Sequence, residues 1–288
     1  MPTSPTRTFG LTLLAMIAFA ANSVLCRIAL RHAAIDPASF TAVRLMSGAI
    51  MLWIVTRLRA RTTHGAGNWP SALALFAYAA AFSYAYVSLP TATGALLLFG
   101  AVQITMISHG LCSGERISAW QVVGLVLACA GLVGLFLPGL SAPPLRGAVL
   151  MSGAGVAWGI YSLRGRRAGD STIVTAGNFF RAVPIALVLA AWRFKSMPVD
   201  GFNSSGRGIG YAIASGALAS GIGYSIWYSA LPRLKSTTAA TVQLSVPVIA
   251  AVGGILFLAE PVTVRVALAS IAVLGGIGLV IAQPDRLA

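Results

Sequence analysis

Residues 70–110 read PSALALFAYAAAFSYAYVSLPTATGALLLFGAVQITMISHG, forty-one residues without one Asp, Glu, Lys or Arg. A helix needs roughly 20 mostly apolar residues to cross a hydrocarbon core of ~30 Å, so this stretch is too long for one crossing and long enough for two. Leu89-Pro90 divides it. Proline has no amide N–H to continue a helical ladder and pushes the residue before it out of the helical region. The reading is therefore a helix over 70–88, a tight connection, and a second helix over 91–110. The number of crossings in the whole chain turns on this division.

Outward from it, apolar runs bounded by charges, prolines and turn residues give further spans at 9–30, 37–56, 118–137, 147–164, 172–192, 208–230, 236–258 and 263–282, ten in all. Composition agrees: 57% of the 288 residues are hydrophobic and 9% charged, against roughly 25% charged in a soluble domain. No hydrophilic stretch is long enough for a soluble catalytic head, so the function must lie inside the helix bundle. Arg7 followed by an apolar run resembles a signal peptide, but Phe9 to about Ala29 is long enough to span and no small-residue cleavage site ends a short core, so it reads as the first helix.

The net charge of +14 does not point to nucleic acid, because the basic residues stand singly or in threes beside apolar runs, where loops facing anionic headgroups carry them. With the N-terminus inside, cytoplasmic segments hold eleven Lys and Arg against seven on the other side, which favours both termini being cytoplasmic. Cys26, Cys112 and Cys129 lack CxxC spacing and read as unpaired thiols with no metal site.

The sequence also matches itself. A shift of 137 places Ala20 on Ala157, Arg27 on Arg164 and Arg44 on Arg181; a shift of 145 places Gly114-Glu115-Arg116-Ile117 on Ala259-Glu260-Pro261-Val262 and Gly131 on Gly276. Each copy holds five helices, an odd number, so equivalent segments run in opposite directions through the membrane. The expected fold is an all-α polytopic membrane protein of ten transmembrane helices in two inverted five-helix repeats, residues 1–140 and 141–288.

Ala21-Asn22-Ser23 with Arg27, Arg44 echoed by Arg181, and Gly114-Glu115-Arg116-Ile117-Ser118 followed by Gln121, Gly124 and Gly131/Gly134 and repeated at Glu260 resemble the drug/metabolite transporter superfamily, specifically its EamA-type ten-helix members. The resemblance covers nearly the whole chain and identifies the superfamily better than the substrate. The aromatic residues of the central helices look more like those of YddG-type exporters of aromatic and other amino acids than like the sugar-phosphate branch. Asn22 departs from the Trp-Gly pattern of many members. The resemblance implies a bacterial inner-membrane exporter of neutral amino acids, working by alternating access around a central cavity that the first and ninth helices help to line. A proton-coupled multidrug or nucleotide-sugar carrier is the alternative.

The residues speak to that choice. All six acids, Asp36, Glu115, Asp170, Asp200, Glu260 and Asp285, fall at helix ends or in loops. Proton-driven exchange of cationic drugs uses a buried carboxylate, and His109, inside the fourth span, sits near its cytoplasmic end. A facilitator or exchanger is expected. Candidate substrate-binding residues are the interior aromatics Tyr78, Trp158, Tyr224 and Trp227, whose faces can hold an ammonium, and the polar mid-helix Asn22, Gln103, Asn178 and Gln243, whose amides can meet a zwitterion or bond neighbouring helices. Tyr86, Tyr211 and Tyr228, near span ends, read as interfacial belt residues. Arg44 and Arg181 lie inside spans without an acid in the same stretch; each must find carbonyls, water or an anion, and their matched placement favours a structural role. Pro247, with no counterpart in the first half, marks the ninth span as a candidate gate through a proline kink. No paired catalytic groups, HExxH motif or acidic dyad is present, so no enzyme, cofactor or metal is expected; the partners are a small-molecule substrate and the lipid bilayer, and a monomer suffices.

Overall fold

The computed structural model describes residues 5–32, 35–59, 66–112, 118–136, 142–165, 170–196, 205–230, 242–243 and 245–282. They form ten helices: α1 Pro5–His32, α2 Pro37–Leu58, α3 Trp69–Tyr86, α4 Thr91–Cys112, α5 Ala119–Phe136, α6 Leu145–Gly165, α7 Ser171–Lys195, α8 Gly206–Ala230, α9 Ser245–Leu258 and α10 Val264–Ala282. The chain is an all-α polytopic membrane protein. Five of the helices, α1, α2, α4, α7 and α8, are long and apolar enough to cross a membrane on length and composition alone. Large apolar side chains stand exposed around the bundle, among them Phe9, Val188, Leu256, Phe257 and Ile271. A surface this apolar suits lipid rather than water.

The helix starts follow from their caps. Asp36 accepts from the amides of Ala38 and Ser39, with Pro37 in the first helical position, where its missing N–H costs nothing. Asp170 accepts from Thr172 and Ile173 in the same way. Asn68 caps α3 through Ser71, and Ser205 caps α8 through Gly208. The connection at Leu89-Pro90 is tight: the Leu89 amide still donates to Ala85, and Gly94 already donates to the Pro90 carbonyl. Two helices therefore do meet there.

Packing pairs the helices in a pattern. The helices α2 and α7, α4 and α9, and α5 and α10 pack on each other; α1 lies against α8 and α9, and α6 against α3 and α4. Small residues allow these approaches. A Cβ on Gly155 would meet the Leu98 carbonyl of α4, one on Gly216 the Arg44 carbonyl and Ser47 of α2, and one on Gly276 the Gly124 carbonyl of α5. Gly131 lies in that same α5–α10 contact, against Ala272 and Val273. Within α8, Ser215–Ile222 is wound as a π-helix.

The ninth span was expected from 236. Residues 231–241 and 244 lie outside the described residues, residues 242–243 are helical, and α9 is described over Ser245–Leu258 with Pro247 buried in it.

Candidate solute-binding site

Helices α1, α3, α4, α6 and α8 meet around a cavity lined by Phe19, Asn22 and Ser23 of α1, Tyr78 and Phe82 of α3, Leu98 and Phe99 of α4, Trp158 of α6 and Tyr224 of α8. The space open to a water-sized sphere is about 20 Å³. Since one water occupies ~10–15 Å³ by this measure, the cavity admits one or two waters and no organic solute. Its rings close it. The Trp158 ring lies 4.8 Å from Tyr78, 5.0 Å from Tyr224 and 6.3 Å from Phe19 between centroids. Phe19 in turn stands edge-on to Tyr224 at 5.7 Å and to Trp227 at 6.0 Å. Tilted and edge-on pairs of this kind add roughly 0.5–1.5 kcal/mol each beyond buried area.

A polar network backs the rings. The Tyr78 hydroxyl accepts from Arg44 Nη2 at 2.9 Å and from Asn22 Nδ2 at 3.3 Å, while Asn22 Oδ1 accepts from the Ser215 hydroxyl at 2.6 Å. Arg44 also donates from Nε to Ser220 Oγ at 3.3 Å and lies over the rings of Tyr78 and Phe82, 5.2 and 5.0 Å from their centroids. It is 1% exposed, no carboxylate among the described residues pairs with it, and its Nη1 has no partner among them. The π-helical segment supplies Ser215 and Ser220, so the widened turns of α8 carry the groups that hold Arg44 and Asn22.

One turn beyond Ser23, α1 carries an ion pair. Arg27 Nε donates to Glu260 Oε1 at 3.0 Å, and Arg27 Nη1 donates to the last carbonyls of α3, Tyr86 at 2.7 Å and Val87 at 2.9 Å. Glu260 Oε2 accepts from the Thr91 amide, the first residue of α4, at 2.6 Å. Arginine thus caps the negative end of α3 and glutamate the positive end of α4. Arg31 approaches the same carboxylate at 3.7 Å from a half-exposed position. The residue after α9, Ala259, holds φ at 50°, which turns Glu260 back toward the bundle.

Of the residues singled out in the sequence, Asn22, Tyr78, Trp158 and Tyr224 come together in the cavity wall, and Trp227 adjoins it through Phe19. Gln103 and Gln243, though buried, are not among the lining residues, and neither is any residue of α9. Asn178 lies elsewhere: its Oδ1 accepts from the Asn68 amide at 2.9 Å and its Nδ2 reaches the Tyr161 hydroxyl at 3.5 Å. Arg181 donates to the Ala66 carbonyl and to Gly177. Both hold the segment before α3 against α7, where Gly67 turns at φ 77° and Gly177 leaves room for the Ala66 carbonyl. The matched arginines therefore have unmatched surroundings, a carbonyl cradle for Arg181 and the aromatic centre for Arg44. Tyr86 and Tyr228 are not belt residues. Tyr86 is fully enclosed, its hydroxyl donating to the Thr91 carbonyl and its ring lying 4.7 Å from Phe82, and Tyr228 packs over Gly165. Phe19, Phe82, Leu98 and Phe99 escape a reading by residue type, because apolar residues in apolar helices carry no signal until the helix faces are known, and Ser23 stood out only as part of the Ala21-Asn22-Ser23 motif. Among the described residues no group of three His, Cys, Asp or Glu gathers as a metal site.

The model of the EamA-like transporter family matches residues 7–137 and again residues 145–282. The chain belongs to the EamA-like transporter family. An uncharacterized protein of Pseudomonas aeruginosa is 55% identical over 277 residues, 96% of this chain and 95% of its own length. The threonine/homoserine exporter RhtA of Salmonella typhimurium is 36% identical over 152 residues, 49% of this chain and 48% of that protein. The uncharacterized transporter YoaV of Bacillus subtilis is 21% identical over 253 residues, 84% of this chain and 86% of its own. A solved crystal structure superposes with a TM-score of 0.64 over 94% of this chain and 97% of that one at 19% identity, a likeness of fold. As an EamA-like protein the chain is a membrane transporter of small molecules.

Proposed function

We propose that this EamA-like protein exports neutral amino acids, or metabolites close to them, across a bacterial inner membrane by alternating access, with both termini cytoplasmic. The observation that carries the reading is the closed cavity at the meeting of α1, α3, α4, α6 and α8, with aromatic walls and the amide and hydroxyl groups of Asn22, Ser23 and Tyr78. Once the rings part, such a cavity clasps a small solute between them while its polar ends find donors. The similarity to a threonine/homoserine exporter over about half of each chain supports the amino-acid class.

Two inverted repeats, 1–140 and 141–288, fit this mechanism. In favour are the family model's two matches, either side of residues 138–144, and the main helix pairings, in which α1 on α8 and α9 is answered by α6 on α3 and α4. In this scheme the half-bundles rock about the cavity, and the Arg27–Glu260 pair closes one mouth.

The test is counterflow in liposomes containing the purified protein and loaded with threonine, homoserine, phenylalanine or tryptophan, with and without a pH gradient. Saturable counterflow of one of these is expected, and it should fall about tenfold in Trp158→Ala at equal membrane level, because the ring packs against Tyr78, Tyr224 and Phe19. Absence of counterflow with every amino acid tested would refute the reading.

A further inference from the structure

We propose that Arg44 is the carboxylate-binding residue of the central cavity, its guanidinium taking the solute's carboxylate while the rest of the solute lies among the rings. This rests on the cavity being the solute site. A buried cation in a membrane protein must be neutralised or solvated, and helices discard such residues unless they are used. Elsewhere in this bundle the rule is met: Arg27 has Glu260 and two carbonyls, and Arg181 has the carbonyls of Ala66 and Gly177. Arg44 has two hydroxyls, two ring faces and an Nη1 without a partner among the described residues, at 1% exposure. Of these three arginines Arg44 is the one with a buried guanidinium nitrogen that has no partner among the described residues, and it touches the cavity through Tyr78.

The rest of the polar lining is suited to an anion as well. The Tyr78 oxygen accepts from Arg44 and Asn22, and its hydroxyl is also hydrogen-bonded to Tyr224. Asn22 presents its amide N–H₂ toward Tyr78, while its acceptor oxygen is taken by Ser215. Arg44 and Asn22 thus both turn donors toward this corner of the cavity, and no carboxylate among the lining residues pairs with Arg44.

One guanidinium balances one negative charge. A phosphate, at about −1.5 to −2 near neutral pH, would leave excess charge in a low-dielectric site. A planar carboxylate matches both the charge and the fork of donors. It would take over the Arg44 bond that Tyr78 now holds, so that the ring moves as the solute enters.

The experiment uses the full-length protein in lipid nanodiscs, titrated with benzoate and with benzamide, which share a ring and differ in charge; the readout is the unfolding midpoint. Benzoate should raise it, and benzamide should need a concentration about tenfold to a hundredfold higher, the ratio set by one charge-assisted contact. Arg44→Gln should erase the difference and Arg44→Lys keep part of it. Should Arg44→Gln fail to fold, Tyr78→Phe keeps the ring, loses the donor, and should narrow the ratio severalfold. Equal effects of acid and amide on the wild type, or no shift with benzoate at any concentration, overturn the proposal. Counterflow of threonine measured with the same purified protein in liposomes separates the readings: its loss with the benzoate effect intact sinks amino-acid export alone, and its presence with acid and amide indistinguishable sinks the role of Arg44 alone.

Discussion

Removing the Glu260 carboxylate should be among the most costly single changes outside the aromatic centre. In Glu260→Ala, Arg27 loses its counter-ion at 3.0 Å and the Thr91 amide loses its acceptor at 2.6 Å, both in a buried setting. Breaking a buried pair by deleting one partner costs about 3–5 kcal/mol, because the remaining charge is stranded. Arg31, half-exposed and 3.7 Å away, offsets little of that. For a chain of this size 1 kcal/mol moves the midpoint by about 2–4 °C, so the expected fall is roughly 6–20 °C. Arg27→Met alone should cost a similar amount. The double variant strands neither charge and should lose at least about 1 kcal/mol less than the sum of the singles. Cys26 supplies the assay: it is fully buried in α1 beside Arg27, whereas Cys112 is exposed and Cys129 partly so. With those two replaced by serine, labelling of Cys26 by a fluorogenic maleimide during a thermal ramp in detergent reports the opening of this end of the bundle. A midpoint for Glu260→Ala within about 2 °C of its parent, or strict additivity with Arg27→Met, would show that the pair does not join α1, α3 and α4 as described.

Other substitutions follow from the packing. Gly216→Ala should lower the midpoint, because the new Cβ meets the Arg44 carbonyl and Ser47, neither of which can withdraw without parting α2 from α8; about 1–3 kcal/mol is expected, while Gly210→Ala, with open space around it, should be neutral or stabilising. Asn178→Ala should cost about 1–2 kcal/mol and speed hydrogen exchange at the Asn68 amide, while the KM for counterflow stays unchanged because Asn178 lies outside the cavity; a raised KM would move it into the solute path.

The helix plan was legible because lipid imposes a simple code: spans of about 20 apolar residues ended by charge, proline or a cap. The expected bounds for α2, α3 and α4 fall within two residues of the observed helices. The site was half legible. Tyr78, Trp158, Tyr224 and Asn22 stood out because bulky aromatics and amides are conspicuous in alanine-rich helices, and they do converge. Asn178 and Arg181 stood out for the same reason yet serve the segment before α3, since what a mid-span polar group bonds depends on which helix packs beside it. Tyr86 looked interfacial by its nearness to a span end, but the Arg27–Glu260 junction and α4 cover that end. The sequence carried no hint that α8 would wind as a π-helix.

That helix also accounts for the change of shift in the internal match. The caps Asn68 and Ser205 still stand 137 positions apart, but α8 is described over 25 residues, as far as Ala230, against 18 in α3, which ends at Tyr86. Nearly all the length by which the second half outgrows the first up to Glu260 is therefore taken up inside one helix, which faces the cavity and includes the π-wound turns. A π-turn takes about one residue more than an α-turn, so side chains beyond Ile222 are rotated out of the phase that their counterparts keep in α3. Aligning the two copies residue by residue thus misassigns faces in the helix that presents Tyr224 and Trp227, and the centre of the bundle is where the molecule is least a copy of itself.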